Sequence, residues 1–429
     1  MTRRLESLLV VGSALIAAAG TAIVTATTTG AVDLDTVAAG AAHLGAFGAM
    51  LLAFRRWCPA TSRLLLPLVG LITAVGSVEV FRIDPDLGRL QRWWLLLAAG
   101  IGVATTRLLH RRGVESLRRF RYLFLLGALV LLALPLLPGS LPIGGNTVNG
   151  SRLWVKLTLG ERSLSFQPGE GAKVLIVVFL ASFLAERRRA LAEMPRMVGP
   201  FHLPEPRQLL PVLLAFAVAF MVLVYQRDLG ASLLLFVVVV LLLYAATERA
   251  TYLVSGLVLA VTGAVAAARF FSHVTVRVEG WLRPFADYSG GGYQVAQGVF
   301  ALAEGGLVGT GLGNGSPYLI PAAATDYVFI AVVEETGLAG GLALLAAYAL
   351  LIATGFGIAL RAGNAFRTLL AAGLTAVLAV QTLLIVAGVL RMLPLTGITL
   401  PFASYGGSSL LANFVIVALL ARVAHEELR

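Results

Sequence analysis

Residues 229–247 read LGASLLLFVVVVLLLYAAT, nineteen residues without one charged side chain. A helix of that length rises about 28 Å, roughly the thickness of bilayer hydrocarbon, so the stretch predicts a transmembrane helix. Working outward from it, apolar runs long enough to cross recur at 8–27, 36–54, 64–81, 93–109, 121–138, 171–186, 208–225, 251–270, 337–360, 368–390 and 406–424. With 229–247 they make about twelve spans, and an even number puts both termini on one side. Composition agrees, since 58% of the 429 residues are hydrophobic, 13% are charged and the mean hydropathy is +0.88. The expected fold is an all-α, polytopic integral membrane protein. The first apolar run has no small-residue cleavage site and reads as a retained anchor.

The basic residues orient these spans. A net charge of +11 would suggest nucleic acid in a soluble protein; here it reflects arginines at a membrane surface carrying anionic lipid, and no nucleic-acid partner is expected. With the N-terminus cytoplasmic, 21 of the 33 basic residues fall inside, including Arg55, Arg56, the run from Arg107 to Arg121, and Arg187 to Arg189. The positive-inside rule therefore predicts cytoplasmic termini. Both lysines, Lys156 and Lys173, and most acids, among them Glu170, Asp228, Asp287, Asp326, Glu334 and Glu335, lie at the opposite, outer ends. Polar chemistry is concentrated there. The single Cys58 excludes an intramolecular disulfide, no His/Cys/Asp cluster has metal-ligand spacing, and neither a G-x-S-x-G elbow nor a P-loop occurs. Hydrolase and ATPase readings have no support.

The longest outer connection, about 271–336, carries RPFADYSGGGYQ (283–294), GTGLGNG (309–315) and DYVFIAVVEET (326–336). Its aromatics argue against disorder, and its glycines permit tight turns and close backbone approach to a ligand. No strand precedes the second glycine run, which excludes a dinucleotide loop. The segment ending in Glu334-Glu335 reads either as a helix at the membrane interface or as a helix whose acids cap it, with at least one acid paired or protonated. In FQPGEGAK (166–173), Pro168 suits a first helical turn, and Glu170 and Lys173 share a helix face, as a surface ion pair or as the polar floor of a cavity. In YQRDLGAS (225–232) a tight turn explains Gly230 but not Asp228. In RMLPLTGITLPFASYGGSS (391–409), Ser408 and Ser409 are placed to cap the last helix.

Taken in order, NGSRLW, FQPGEGAK, QRDLGAS, RPFADYSGGGYQ, GLVGTGLGNG, TDYVFIAVVEETG and LPLTGITLPFASYGGSSL resemble the motifs of the SEDS family (shape, elongation, division and sporulation) of RodA/FtsW type. The resemblance covers about 64–424. It implies a ten-span core over 64–429 preceded by a two-span extension, 1–63, like that of actinobacterial members. It further implies a peptidoglycan glycosyltransferase that polymerises lipid II on the outer membrane face beside a class B penicillin-binding protein. The family's essential aspartate falls on Asp287. The other implied substrate-binding positions are Arg152, Trp154, Glu170, Lys173, Asp228, Arg283, Tyr293, Gln294, Ser404 and Ser408. Five positions depart from the family pattern: Arg227 and Tyr288 stand where proline is usual, Ala322 and Ala324 where Glu and His are usual, and Ile385 where Asn is frequent.

Such a transferase needs a base for the acceptor hydroxyl and cations for the departing pyrophosphate. Asp287 is the expected base, in a partly desolvated loop, with Arg152, Lys173 and Arg283 on the pyrophosphate. A divalent cation, Mg or Mn, held by Asp287 or Glu170, is a further expectation that spacing does not specify. A flippase of lipid-linked precursor and a non-catalytic scaffold are the alternatives. Acids gathered on one face, and no visible inverted repeat, oppose the flippase.

Overall fold

The computed structural model describes residues 2–141, 143–148, 151–159, 162–193, 196–198, 201–203, 206–288 and 290–427. Its helices are α1 (Arg3–Thr29), α2 (Leu34–Trp57), α3 (Leu65–Ile83), α4 (Pro85–Arg112), α5 (Ser116–Arg119), α6 (Arg121–Ala133), α7 (Pro168–Ala192), α8 (Pro206–Tyr225), α9 (Leu229–Thr247), α10 (Ala250–Phe270), α11 (Ser272–Leu282), α12 (Tyr293–Gly305), α13 (Val328–Arg361), α14 (Ala365–Val389) and α15 (Gly407–Glu427). Every expected span lies on one of them. Nine are long and apolar enough to cross a membrane among the described residues, which fits a polytopic membrane protein. The remaining three expected spans are α4, charged near both ends by Asp86, Arg89, Arg111 and Arg112, α6, which ends at Ala133 and passes into a 3-10 turn at Leu134–Leu136, and α8, whose described apolar part is Phe216–Tyr225.

The helix ends show why the chain divides where it does. Thr2 and Asp33 accept from the backbone N–H groups of Leu5 and Asp35, and Gly30 closes α1 in the left-handed region at φ 77°. Asp228 caps α9, its Oδ1 accepting from Ala231 N at 2.9 Å. Arg227 just before it has φ 61°, a value closed to the proline usual there.

Two small sheets interrupt the helices and were not legible as such. The larger is antiparallel, β1 (Ile143–Val148), β2 (Ser151–Leu159) and β3 (Arg162–Phe166), in that order. The smaller pairs β4 (Arg196–Val198) with β5 (Phe201–Leu203). The signal for the first was present: Asn149-Gly150, the hairpin dipeptide, precedes an alternating Arg-Leu-Trp-Val-Lys-Leu-Thr.

The helices sort into two compact units, Met1–Arg107 with Gly263–Thr354 and Gln381–Ala421, and Leu108–Thr262 with Gly355–Val380 and Arg422–Arg429. In the first, α1 packs on α2 and α3, and Phe47 of α2 meets Phe414 of α15 with centroids 5.7 Å apart. In the second, α7 lies against α6, α8 and α9.

Residues 328–335 are helical, every one is buried, and they form the first part of α13, which kinks at Gly337 (φ 70°, ψ −176°). A side chain at Gly337 would also meet the backbone of Leu307 and Val308 at 2.5 Å, so only glycine fits.

Close approach also fixes Gly76 of α3. A Cβ there would sit 2.3 Å from the Ala403 backbone. Gly76→Ala is expected to lower stability by about 1–3 kcal/mol through forced displacement of the 400–406 segment. Thermal unfolding of the detergent-solubilised protein measures this, and an unchanged midpoint would refute the packing described.

Candidate active site

The segment 283–294 turns back on itself between α11 and α12. Asp287 is its centre. Its backbone carbonyl accepts from Gly290 N at 3.2 Å and Gly292 N at 3.1 Å, and its carboxylate Oδ2 accepts from Gly291 N at 2.8 Å. The glycines have no room for anything larger. A Cβ on Gly290 would lie 2.5 Å from both Asp287 carboxylate oxygens, and one on Gly292 would lie 2.1 Å from Pro284 O. The backbone is thus wrapped onto the carboxylate, which itself stays exposed. That differs from the expected partly desolvated acid: the turn orients Asp287 without burying it. Arg283 is exposed four residues earlier.

Aromatic side chains brace the turn. Tyr288 meets Tyr293 edge-on, with centroids 5.5 Å apart, and its hydroxyl accepts from Gln297 Nε2 at 2.8 Å. Phe300 contacts both Phe285 and Tyr288, at 5.8 and 6.3 Å. Tyr288, the departure from proline, therefore has a local purpose. Gln294 Nε2 donates to Pro321 O at 2.7 Å, which ties the start of α12 to the far arm of the loop.

That far arm is clasped to the first part of α13. Glu335 Oε2 accepts from Gly313 N at 2.9 Å and Oε1 from Gly315 N at 3.2 Å; Glu334 Oε1 accepts from Ser316 N at 2.6 Å. Arg82 of α3 pairs with Glu335 at 2.9 Å and donates to Gly315 O at 2.7 Å. The adjacent acids accept from loop amides rather than capping α13, and Glu335 is paired. They gather the N–H groups of GTGLGNG, whose Gly309, Gly311 and Gly313 all have positive φ.

The 391–406 segment joins the same assembly. Trp281 Nε1 donates to Arg391 O at 2.8 Å, Arg277 donates to the carbonyls of Leu395 and Thr396, and Tyr405 N donates to Ala324 O at 2.8 Å. Ser404 is buried, its hydroxyl donating to Thr325 O and accepting from Leu400 N. Ser408 and Ser409 lie within the first turn of α15 rather than before it, and Ser409 accepts from the Thr399 hydroxyl at 3.1 Å. Ala322 takes φ 56°, and Ala324 and Ile385 are buried.

The other expected residues lie in the second unit. Arg152 and Trp154 are two apart on β2 and so share one strand face, as does Lys156; Leu153, between them, points the other way. Arg152 Nη2 donates to Leu137 O at 2.8 Å. Glu170 and Lys173 pair across one turn of α7 at 2.9 Å, and both are buried, so this is not a surface ion pair. Asp228 is buried and occupied with capping α9.

Of the two carboxylates expected to hold a divalent cation, Glu170 is engaged by Lys173 and Asp287 is exposed. Among the described residues no three His, Cys, Asp or Glu side chains come together for a metal, and the Lys173 ammonium already stands 2.9–3.0 Å from both Glu170 oxygens.

A family model described as cell cycle protein, FtsW/RodA/SpoVE, matches residues 57–429. The chain belongs to this family. It is 40% identical to the peptidoglycan glycosyltransferase RodA of Mycobacterium tuberculosis over 99% of this chain and 90% of that protein. It is 30% identical to the stage V sporulation protein E of Bacillus subtilis over 84% and 94%. Among solved structures, one concerned with the coordination of polymerization and crosslinking by a peptidoglycan synthase complex matches with a TM-score of 0.67 at 28% identity, covering 86% of this chain and 98% of that one. The Thermus thermophilus rod shape determining protein RodA matches at 0.56 and 27%, with the same coverage. The FtsW/RodA/SpoVE match begins at residue 57, whereas the mycobacterial relative also spans α1 and α2.

Three consequences are measurable. Gly290→Ala should push the Asp287 carboxylate aside and cut activity by an order of magnitude or more with little change in stability, since the turn is exposed; equal activity would show that the cradle is not needed. Lys173→Met should cost about 3–5 kcal/mol by leaving Glu170 buried and unpaired, and adding Glu170→Gln should restore most of it. Denaturation of the single and double variants decides this, with failure of the second change to rescue as the contrary result.

The third concerns pH. Burial pushes the half-buried Asp326 carboxyl up, partly opposed by its hydrogen bond with the Thr325 side chain and by the Arg277 guanidinium. Ionisation therefore opposes folding. The contribution of Asp326 is complete below the ordinary carboxylate range, about pH 4, and is lost as pH rises through the elevated value. Asp326→Asn should match the native chain at acidic pH and exceed it in thermal midpoint towards neutrality. A constant difference across that range would contradict the assignment.

Proposed function

We propose that this chain is a peptidoglycan glycosyltransferase that polymerises lipid II at the outer face of the cytoplasmic membrane, with Asp287 as general base. The observation that carries the reading is the Asp287 turn: an exposed carboxylate fixed by Gly291 N–H, in a family whose mycobacterial relative bears that activity in its name. With Oδ2 held by the amide, Oδ1 is the oxygen that accepts the proton of the acceptor sugar hydroxyl as the new glycosidic bond forms. The lipid pyrophosphate leaves with the bonding electrons, and its charge calls for cations. Arg283, exposed on the same turn, is assigned to it. Arg152 and Trp154, on one strand face, are assigned to anionic and ring-bearing parts of the substrate, an arginine suited to phosphate and an indole to a sugar ring. Tyr293 and Gln294 act by holding the turn, and Ser404 by holding the segment behind it.

The arginine distribution supports cytoplasmic termini and an outward-facing Asp287. A class B penicillin-binding protein is the proposed partner, a reading supported by the likeness to the synthase-complex structure.

The test is polymerisation of lipid II by the purified chain, with and without the partner. Asp287→Asn should lose about 10²–10⁴-fold in rate while its thermal midpoint stays the same, because the side chain is exposed. Wild-type polymerisation by Asp287→Asn would sink the assignment of the base. Translocation of lipid II without glycan product from the native chain would sink the enzyme itself.

A further inference from the structure

The kink of α13 at Gly337 creates helix ends that need partners. A break leaves amides without acceptors on one side and carbonyls without donors on the other, and lipid can satisfy neither. The 306–311 backbone supplies both. Gly306 O accepts from Leu338 N at 3.0 Å and Leu307 O from Ala339 N at 3.3 Å, while Thr310 N donates to Glu334 O at 3.0 Å and Gly311 N to Glu335 O at 2.9 Å. Gly309 and Gly337 permit the approach, since a Cβ on either would stand 2.5 Å from the amide N of the other.

The turn is thus fixed on the kink, yet its tip is apolar and uncovered. Leu307 is 73% exposed and Val308 85%. Past the kink, Leu338, Leu342, Ala346 and Leu350 are four apart and all exposed, an apolar stripe along one face of a helix long and apolar enough to cross a membrane. Leu307, bonded to Ala339, stands at the head of that stripe.

Helix length sets the level. Arg361 ends α13, and about 30 Å of hydrocarbon at about 1.5 Å per residue reaches back to about Gly341. Gly337 and the turn on it stand roughly 6 Å further on, in the interfacial layer. Glu304 is the one charged residue between Gln297 and Asn314, and it is exposed in the last turn of α12. A carboxylate suits that layer and not the hydrocarbon beyond it.

We propose that the 306–309 turn is a membrane anchor, with Leu307 and Val308 inserted among lipids at the boundary of headgroups and acyl chains. The occupant is lipid because the tip continues the exposed apolar stripe of α13 and lies at the level where that helix leaves the hydrocarbon. The 271–336 connection then touches the membrane near its middle as well as at its ends. Helix α12 joins the tip to the Asp287 turn, so insertion also holds the far end of that helix at the surface. The anchor does not depend on the role of Asp287.

Fluorescence quenching in nanodiscs, one full-length copy in each, tests this. A nitrobenzoxadiazole dye on Val308→Cys is compared with the same dye on Leu342→Cys, on the apolar stripe, and on Asp86→Cys, in the first turn of α4 where the native side chain is 89% exposed. Dye-treated native chain, whose Cys58 is buried, is the blank. Phosphatidylcholine with a doxyl group near the headgroup should remove most of the Val308→Cys emission, and a doxyl near the methyl end should remove less. Aqueous iodide should quench Val308→Cys several-fold less than Asp86→Cys. Leu307→Cys should behave in the same way, so that one badly tolerated label does not decide the result. Iodide quenching equal to that of Asp86→Cys would put the tip in water. Protection from iodide and from both doxyl lipids would put protein over it, and stronger quenching by the methyl-end doxyl would put it in the hydrocarbon core. Each of these three results overturns the proposal.

Discussion

The hydrogen bonds that Gly313, Gly315 and Ser316 give to Glu335 and Glu334, with Arg82 closing the charge on Glu335, are the contacts on which the long-loop end of the first unit depends. Buried carboxylates are tolerated only when paired and hydrogen-bonded, and non-helical backbone in a membrane protein only when protein groups satisfy it. Here each requirement answers the other. The acids give the loop's N–H groups acceptors, and the loop gives the acids donors. Glycine is needed because the chain must turn with positive φ to present successive amides to two adjacent side chains.

From that clasp the geometry extends to Asp287. The far arm continues to Pro321, which receives Gln294, and to Thr325, which receives Ser404. Trp281 and Arg277 fasten α11 to the 391–396 backbone. The Asp287 turn therefore hangs between two helices whose positions are each fixed by hydrogen bonds to separate segments. A carboxylate that must meet a substrate hydroxyl gains from such a frame, because the entropy of positioning it is lost on folding and not at each turnover.

Much of this was legible in the sequence, and the misses have identifiable causes. Long uncharged runs such as 229–247 marked the spans because hydrocarbon leaves little choice. Asp287 stood out only when its family motif was added to its glycines; the glycines alone said that a turn was needed, not what it held. The sheet around Arg152 was missed because it interrupts a helical pattern, although Asn149-Gly150 and the alternation after it announced a hairpin. The sheet in turn explains why one residue separates Arg152 from Trp154: strand alternation puts them on the same face. The glycines of GTGLGNG pointed to tight turns, which Gly309, Gly311 and Gly313 make with positive φ, but the partners of that run, Glu334 and Glu335, lie about twenty residues away and are invisible to local pattern. Asp228 was singled out as an acid that a tight turn does not require, yet helix α9 uses it as a cap.

The chemistry assigned to Asp287 is a claim about one distance. A structure of the chain with an acceptor lipid-linked saccharide bound tests it most directly. The account predicts that the acceptor sugar hydroxyl lies about 2.6–3.2 Å from an Asp287 carboxylate oxygen, with Gly291 N–H still on the other oxygen. An acceptor bound with its reacting hydroxyl facing a different acid, and Asp287 beyond reach even through one water, would contradict it.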